Sequence, residues 1–326
     1  MRRPLRLLAG AAFLAAACGD AGSDLDGTWE LDHVEDDGGL VTVWGAAPDD
    51  VWAAGGTTER GLVLHSDGES WTAVQTGATG LVWWVYGFTA DDVYLVGERG
   101  LILHYDGATW QRVESGTDAP LYGVWGASAN DVWIVGGDAT VDGGAVILRG
   151  QGTSFRRVTD LPAELTPAAI FKAYGYAEDD VILVGSGGSV LRWDGASWRR
   201  DPVITSQPLF SLWGRAEDDI YAVGGWNSGT ILHYGGDGWT QVEEAAGSGL
   251  SGVFTAPDSP TVAVGPDAFV LEIRPDGSQL EPALPQLTPE TAFHGVWGDE
   301  AGNIYAVGGD LLSASGPTGG VILRRR

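Results

Sequence analysis

A single cysteine, a single methionine and a single lysine, Lys172, are spread over 326 residues. One thiol cannot form an internal disulfide, so the fold has to stand on packing. Basic residues are scarce: 18 Lys and Arg face 44 Asp and Glu, a formal net charge of -26. Arg2, Arg3 and Arg6 sit at the very start, and the rest of the chain is more acidic still. Such a surface repels phosphate backbones, which argues against a nucleic-acid partner and for solubility and contact with cations or basic surfaces. No stretch has the periodicity of an amphipathic helix. The unbroken apolar run at residues 7–17 is too short to cross a bilayer, which takes about 20 residues. No metal, nucleotide or phosphate-loop motif occurs, and no cofactor is expected.

What is abundant is glycine, 51 residues, together with 15 tryptophans and 9 tyrosines. That balance suits short strands and tight turns. A repeat then decides the fold class. "TVWGAAPDDVWAAG" from Thr42 returns as "WVYGFTADDVYLVG" from Trp84, "GVWGASANDVWIVG" from Gly123, "KAYGYAEDDVILVG" from Lys172, "SLWGRAEDDIYAVG" from Ser211, "GVFTAPDSPTVAVG" from Gly252 and "GVWGDEAGNIYAVG" from Gly295. The steps run from 39 to 49 residues, a period shared with propeller repeats. Each unit holds four short strands: "GVWG", a "DD" turn into "DVWAVG", a variable loop into "GLILHYDG", and "TWQRVES". The chain is therefore expected to be all-β, a seven-bladed β-propeller of four-stranded antiparallel blades at residues 26–326.

The seventh unit stops at "GGVILRRR" without a fourth strand, and the spare piece lies at the other end of the chain. "DGTWELDHV" at residues 26–34 matches "DGATWQRVES" and "DGASWRRDPV". It is expected to pair beside the C-terminal strand and close the ring, which removes the open sheet edges and favours a monomer.

The leader "MRRPLRLLAGAAFLAAAC" has arginines, an apolar run and small residues in the order of a secretory signal. Ending that run on Cys18, it resembles a bacterial lipoprotein signal. The resemblance implies a signal peptide at 1–17, a lipidated Cys18, a tether at 18–25 and export to the cell envelope, and Gly19 in place of an aspartate points to the outer membrane or cell surface. The membrane is then touched only through the lipid. An ordinary cleaved signal with an incidental cysteine is the alternative.

"HSDGESW", "HYDGATW", "RWDGASW" and the degraded "HYGGDGW" resemble the Asp-box of sialidase-like propellers. The whole repeat is similar to photosystem assembly factor propellers and to tectonin-like lectins. Asp67, Asp106 and Asp194 are expected to hold hairpin turns and Trp71, Trp110 and Trp198 to pack between blades. His65, His104 and His233 share one repeat position with Arg149 and Arg192, which speaks for structure. The acid pairs from Asp49/Asp50 to Asp218/Asp219 are spread around a ring and do not make a cation cage. Neither a metal site nor a catalytic site is expected, and no arginine triad of a sialidase stands out.

The loops at 55–61, 136–144, 159–168, 224–229, 281–291 and 308–320 are irregular and share one face, where binding is expected. The residues two before each anchor aromatic are mostly small, with Trp84 and Lys172 the exceptions. One reading has these two narrow the mouth of the central channel and touch a ligand, together with Arg60, Asp138, Asp142, Trp226, Asn227 and Asp310; the other has Trp84 as blade packing and Lys172 as a satisfied charge. Two readings stay open: a lipid-anchored module that binds or assembles protein, or a glycan-binding lectin. A sialidase-like glycosidase is disfavoured.

Overall fold

The computed structural model describes residues 27–326 apart from 227, 243–248, 258, 312 and 314–315. Cys18, with the leader and the tether, lies outside the described residues, as does Asn227. Seven four-stranded antiparallel sheets make up the chain. The first strand, β1 (Trp29–Glu35), belongs to the last blade. Blade 1 is β2 (Gly39–Ala47), β3 (Asp50–Gly56), β4 (Gly61–Ser66) and β5 (Trp71–Ala73). Blade 2 is β6 (Val82–Thr89), β7 (Asp92–Gly97), β8 (Leu101–Tyr105) and β9 (Trp110–Arg112). Blade 3 is β10 (Leu121–Ser128), β11 (Asp131–Gly137), β12 (Ala145–Gln151) and β13 (Ser154–Arg157). Blade 4 is β14 (Ile170–Ala177), β15 (Asp180–Gly185), β16 (Ser189–Trp193) and β17 (Trp198–Arg200). Blade 5 is β18 (Leu209–Ala216), β19 (Asp219–Gly224), β20 (Thr230–Tyr234) and β21 (Trp239–Gln241). Blade 6 is β22 (Gly252–Phe254), β23 (Thr261–Gly265), β24 (Phe269–Ile273) and β25 (Gln279–Leu280). Blade 7 is β26 (Ala292–Gly298), β27 (Ile304–Asp310) and β28 (Thr318–Arg325), completed by β1.

The ring closes as the spare strand requires. β1 runs antiparallel to β28, with Trp29 opposite Arg325 and Glu35 opposite Gly320. The first and last strands thus share one sheet, and no blade is left a strand short.

The repeated aromatic and glycine explain how blades stack. A Cβ on Gly87 would lie 2.6 Å from the Trp44 ring, one on Gly175 2.9 Å from Trp125, and one on Gly45 2.8 Å from Trp297. The missing side chain is the seat for the preceding blade's anchor ring. Tyrosine anchors use the same place differently: Tyr86 and Tyr174 donate from their hydroxyls to the carbonyls of Gly126 and Gly214, at 3.2 and 2.7 Å. Blade 6 has Thr255 instead of the glycine. There Arg215 donates to the Thr255 hydroxyl at 2.7 and 3.0 Å, and a cavity of about 590 Å³ opens among blades 5, 6 and 7.

The outer strands are stapled by indole donors. Trp71 Nε1 donates to Asp32 at 2.7 Å, Trp239 to Asp201 at 3.1 Å and Trp198 to Asp160 at 3.4 Å. Asp32 and Asp201 each stand three residues after the outer-strand tryptophan of their own blade. In blade 1 that place is Val74, so the buried Trp110 Nε1 has no acceptor among the described residues. A cavity of about 670 Å³ lined by Val74 and Trp110 lies there. Val74→Asp is expected to supply the acceptor and raise stability by about 1 kcal/mol, read as a higher urea midpoint. The same change in a Trp110→Phe background should give no gain.

Candidate functional site

The seven innermost strands, β2, β6, β10, β14, β18, β22 and β26, surround the axis. The position two before each anchor aromatic brings neighbouring inner strands close. A Cβ on Gly252 would lie 2.5 Å from the His294 carbonyl, and one on Gly295 2.8 Å from the Thr42 Cα. Thr42 and Ser211 fit by accepting the amides of Val85 and Val253, at 3.3 and 3.4 Å. Trp84 and Lys172 carry large side chains at that position, and the two meet. The Lys172 Nζ lies over the Trp84 ring and 6.0 Å from the Trp213 ring, so groups from blades 2, 4 and 5 converge on one amine. Lys172 is 1% exposed and its Nζ has no hydrogen-bond partner among the described residues. Burial pushes its pKa well below the ordinary lysine value. Lys172 is therefore out of contact with solvent and not open to a ligand, whereas Trp84 stays half-buried.

A break in the strand register falls one residue earlier. In six inner strands the register with the next strand slips at that residue, between Leu40 and Thr42, Val82 and Trp84, Leu121 and Gly123, Ile170 and Lys172, Leu209 and Ser211, and Phe293 and Gly295. A bulge of this kind re-aims the side chain of its unpaired residue. The residues so placed are Val41, Trp83, Tyr122, Phe171, Phe210 and His294. Five carry rings, and those rings form an arc. Centroid separations are 5.8 Å from His294 to Trp83, 5.6 Å on to Tyr122, 5.3 Å to Phe171 and 5.2 Å to Phe210. Trp226, from the loop between β19 and β20, extends the arc 4.8 Å beyond Phe210 and is 67% exposed.

Local bonds hold this collar. Trp83 Nε1 donates to Glu98 at 2.8 Å, and His294 Nδ1 donates to the Val41 carbonyl at 2.8 Å. Burial lowers the His294 pKa against that hydrogen bond, with the nearby Lys172 charge adding to the lowering. Tyr122 is pushed up to about 12 by burial, and the carboxylates of Glu98 and Asp138 add to it. Two acids thus face the collar at the seam of blades 2 and 3.

The remaining loop residues stand around this arc. Arg60 lies 3.6 Å from the Asp37 carboxylate. Asp138 accepts the amide and hydroxyl of Thr140 at 2.9 and 2.6 Å, which lowers its pKa. Asp142 is exposed, and Asp310 ends β27 opposite Thr318.

The opposite face carries the stereotyped turns. Asp67 accepts two amides at 3.0 and 2.8 Å, Asp106 at 3.0 and 2.8 Å, and Asp194 at 3.0 and 2.7 Å, each held below the usual carboxylate range by those bonds. In blades 1, 2, 3 and 5 the repeated basic position pairs with the acid that opens the second strand. His65 meets Asp50 at 2.6 Å, His104 meets Asp92 at 2.7 Å and His233 meets Asp219 at 2.9 Å, while Arg149 meets Asp131. Both partners are visible in the sequence, as residues at fixed repeat offsets. Among the described residues no three His, Cys, Asp or Glu side chains converge as metal ligands would.

No protein-family model matches the chain, and no curated protein matches it. Solved structures do. The WD40 propeller domain of Doa1 has a TM-score of 0.69 at 11% identity, covering 90% of this chain and 96% of that one. YCF48 from Cyanidioschyzon merolae has a TM-score of 0.65 at 14%, covering 91% and 98%. A structure of YCF48 bound to D1 peptide stands at 0.64 and 13%, covering 91% and 96%. The extracellular domain of BT4673 from B. thetaiotaomicron has a TM-score of 0.66 at 13%, with 91% of this chain covering 39% of that one. At these identities the likeness establishes a β-propeller and nothing about activity.

Proposed function

We propose that this chain is a lipid-anchored cell-envelope propeller that binds a protein partner on its variable-loop face and catalyses no reaction. The aromatic collar carries the reading. A contiguous arc of half-buried rings rimmed by polar loops is the anatomy of a recognition surface, where aromatic anchors supply most of the binding energy. On the opposite face the turns of Asp67, Asp106 and Asp194 and the pairs of His65, His104 and His233 with Asp50, Asp92 and Asp219 recur from blade to blade, whereas catalysis needs one asymmetric site. That YCF48 has been seen with a peptide bound is consistent with a propeller of this build holding a polypeptide. Export and the anchor at Cys18 rest on the leader.

Crosslinked capture from the envelope fraction tests this, with Phe210→Ala/Trp226→Ala and Cys18→Ser beside the parent chain. One recurring protein partner is expected, lost in the double variant, and the Cys18→Ser chain should leave the membrane fraction. Capture indifferent to the collar variant, or saturable sugar binding on a glycan array without a protein partner, would overturn the reading.

A further inference from the structure

We propose that the collar is a seat for a cationic segment of the partner, an extended stretch whose arginine or lysine side chains lie on the ring faces. This rests on the reading of the variable-loop face as a protein-binding surface and says what chemistry that surface selects.

Ring faces carry the negative part of the aromatic quadrupole, so an arc of them attracts a desolvated cation. Carboxylates reinforce that attraction at the same place: Glu98 is fixed by the Trp83 indole, and both Glu98 and Asp138 act on Tyr122. The surrounding loops have the same sign. Glu59, Asp142, Asp267 and Asp310 add acids from four more loop positions, whereas these loops contain only two basic residues, Arg60 and Arg99.

Neither arginine competes for the rings. Arg60 turns to Asp37, and Arg99 donates to the carbonyls of Thr79 and Thr58 at 2.9 and 3.5 Å. Arg157 and Arg200 end the outermost strands of their blades and donate to the Ala145 carbonyl and the Ser189 hydroxyl. The fold already sets cations over rings, with Lys172 over Trp84, Arg192 over Tyr234 and Arg149 over Trp133. An anionic ligand would meet Glu98 and Asp138 and an overall charge of -26, so phosphate and carboxylate groups are disfavoured.

The test uses the full chain in detergent and short Gly/Ser peptides bearing arginine, lysine, citrulline or glutamate, followed by tryptophan fluorescence and calorimetry. Citrulline keeps the shape of arginine and removes its charge. Arginine and lysine peptides are expected to bind saturably, with the citrulline and glutamate peptides weaker by about tenfold or more, the scale of one desolvated cation–π contact. Glu98→Gln and Tyr122→Leu should each weaken the arginine peptide several-fold, and Tyr122→Leu keeps the collar filled should the larger deletions unfold. Citrulline binding as well as arginine, no saturable binding by any peptide, or indifference to Glu98→Gln would overturn the proposal. Its failure separates from that of the function above. A captured partner lost in the collar double variant, but crosslinked there through an acidic or neutral segment, ends only the cation reading. Capture that ignores the collar ends both.

Discussion

Glu272→Ala is expected to lower the free energy of unfolding by about 3–5 kcal/mol, the cost of breaking a buried ion pair from one side. Glu272 is 1% exposed and Arg325 4%. Arg325 donates through Nε at 2.9 Å and through Nη2 at 3.5 Å, and Trp29 Nε1 donates to the same carboxylate at 2.9 Å. One carboxylate thus ties β24 of blade 6 to β28 and β1 of blade 7. Removing it takes an acceptor from two buried donors at the seam that closes the ring. Urea unfolding followed by tryptophan fluorescence measures the loss. Glu272→Gln, which keeps an acceptor, should lose less, and Glu272→Met with Arg325→Met should recover much of the stability. A loss under about 1 kcal/mol for the alanine variant would place the pair among contacts of surface value.

The second large effect has the opposite sign. Lys172→Met is expected to stabilise the chain by about 1–3 kcal/mol at neutral pH, because an amine without a hydrogen-bond partner is replaced by an apolar side chain of similar length. The pH dependence identifies the cause. In the folded chain burial holds the amine well below its ordinary 10.5. Between that lowered value and 10.5 the unfolded chain binds one more proton than the folded one, so the stability of the parent chain rises with pH across this window. The methionine variant lacks that rise, and its advantage should shrink as pH climbs from about 8 to about 10. Trp84, Trp213 and His294 face the amine, and the ring of His294 titrates below this range. A constant advantage across the range would mean that packing rather than ionisation sets it.

The blades were legible because the constraints that build them recur. The glycine after each anchor aromatic marks where a neighbouring ring must sit, and the strand missing from "GGVILRRR" announces its replacement at residues 26–34. The collar was harder to read. Alternation along a strand places every second side chain on one face, and the bulge at Trp83, Tyr122, Phe171, Phe210 and His294 breaks that count by one. Attention therefore falls on Trp84 and Lys172, whose size is unusual for their position, although the two pack against each other and Lys172 is buried. A run of aromatics one residue upstream in four consecutive repeats, Trp83, Tyr122, Phe171 and Phe210, was the signal that could have found it. The pairing of Asp50, Asp92 and Asp219 with histidines needed the hairpin register, which sets β3, β7 and β19 against β4, β8 and β20. Blade 6 departs at Thr255, which lines the cavity beside Arg215.

The register of β1 also fixes which way the molecule points. Its first residue, Trp29, lies opposite Arg325 on the side of the short turns, and its last, Glu35, lies opposite Gly320 on the side of the collar. Anything attached ahead of residue 27 is joined to the underside of the disc. On the proposed lipid anchor, a stalk joined there would hold the rings outward like the dish of an antenna, with the stereotyped turns nearest its mooring.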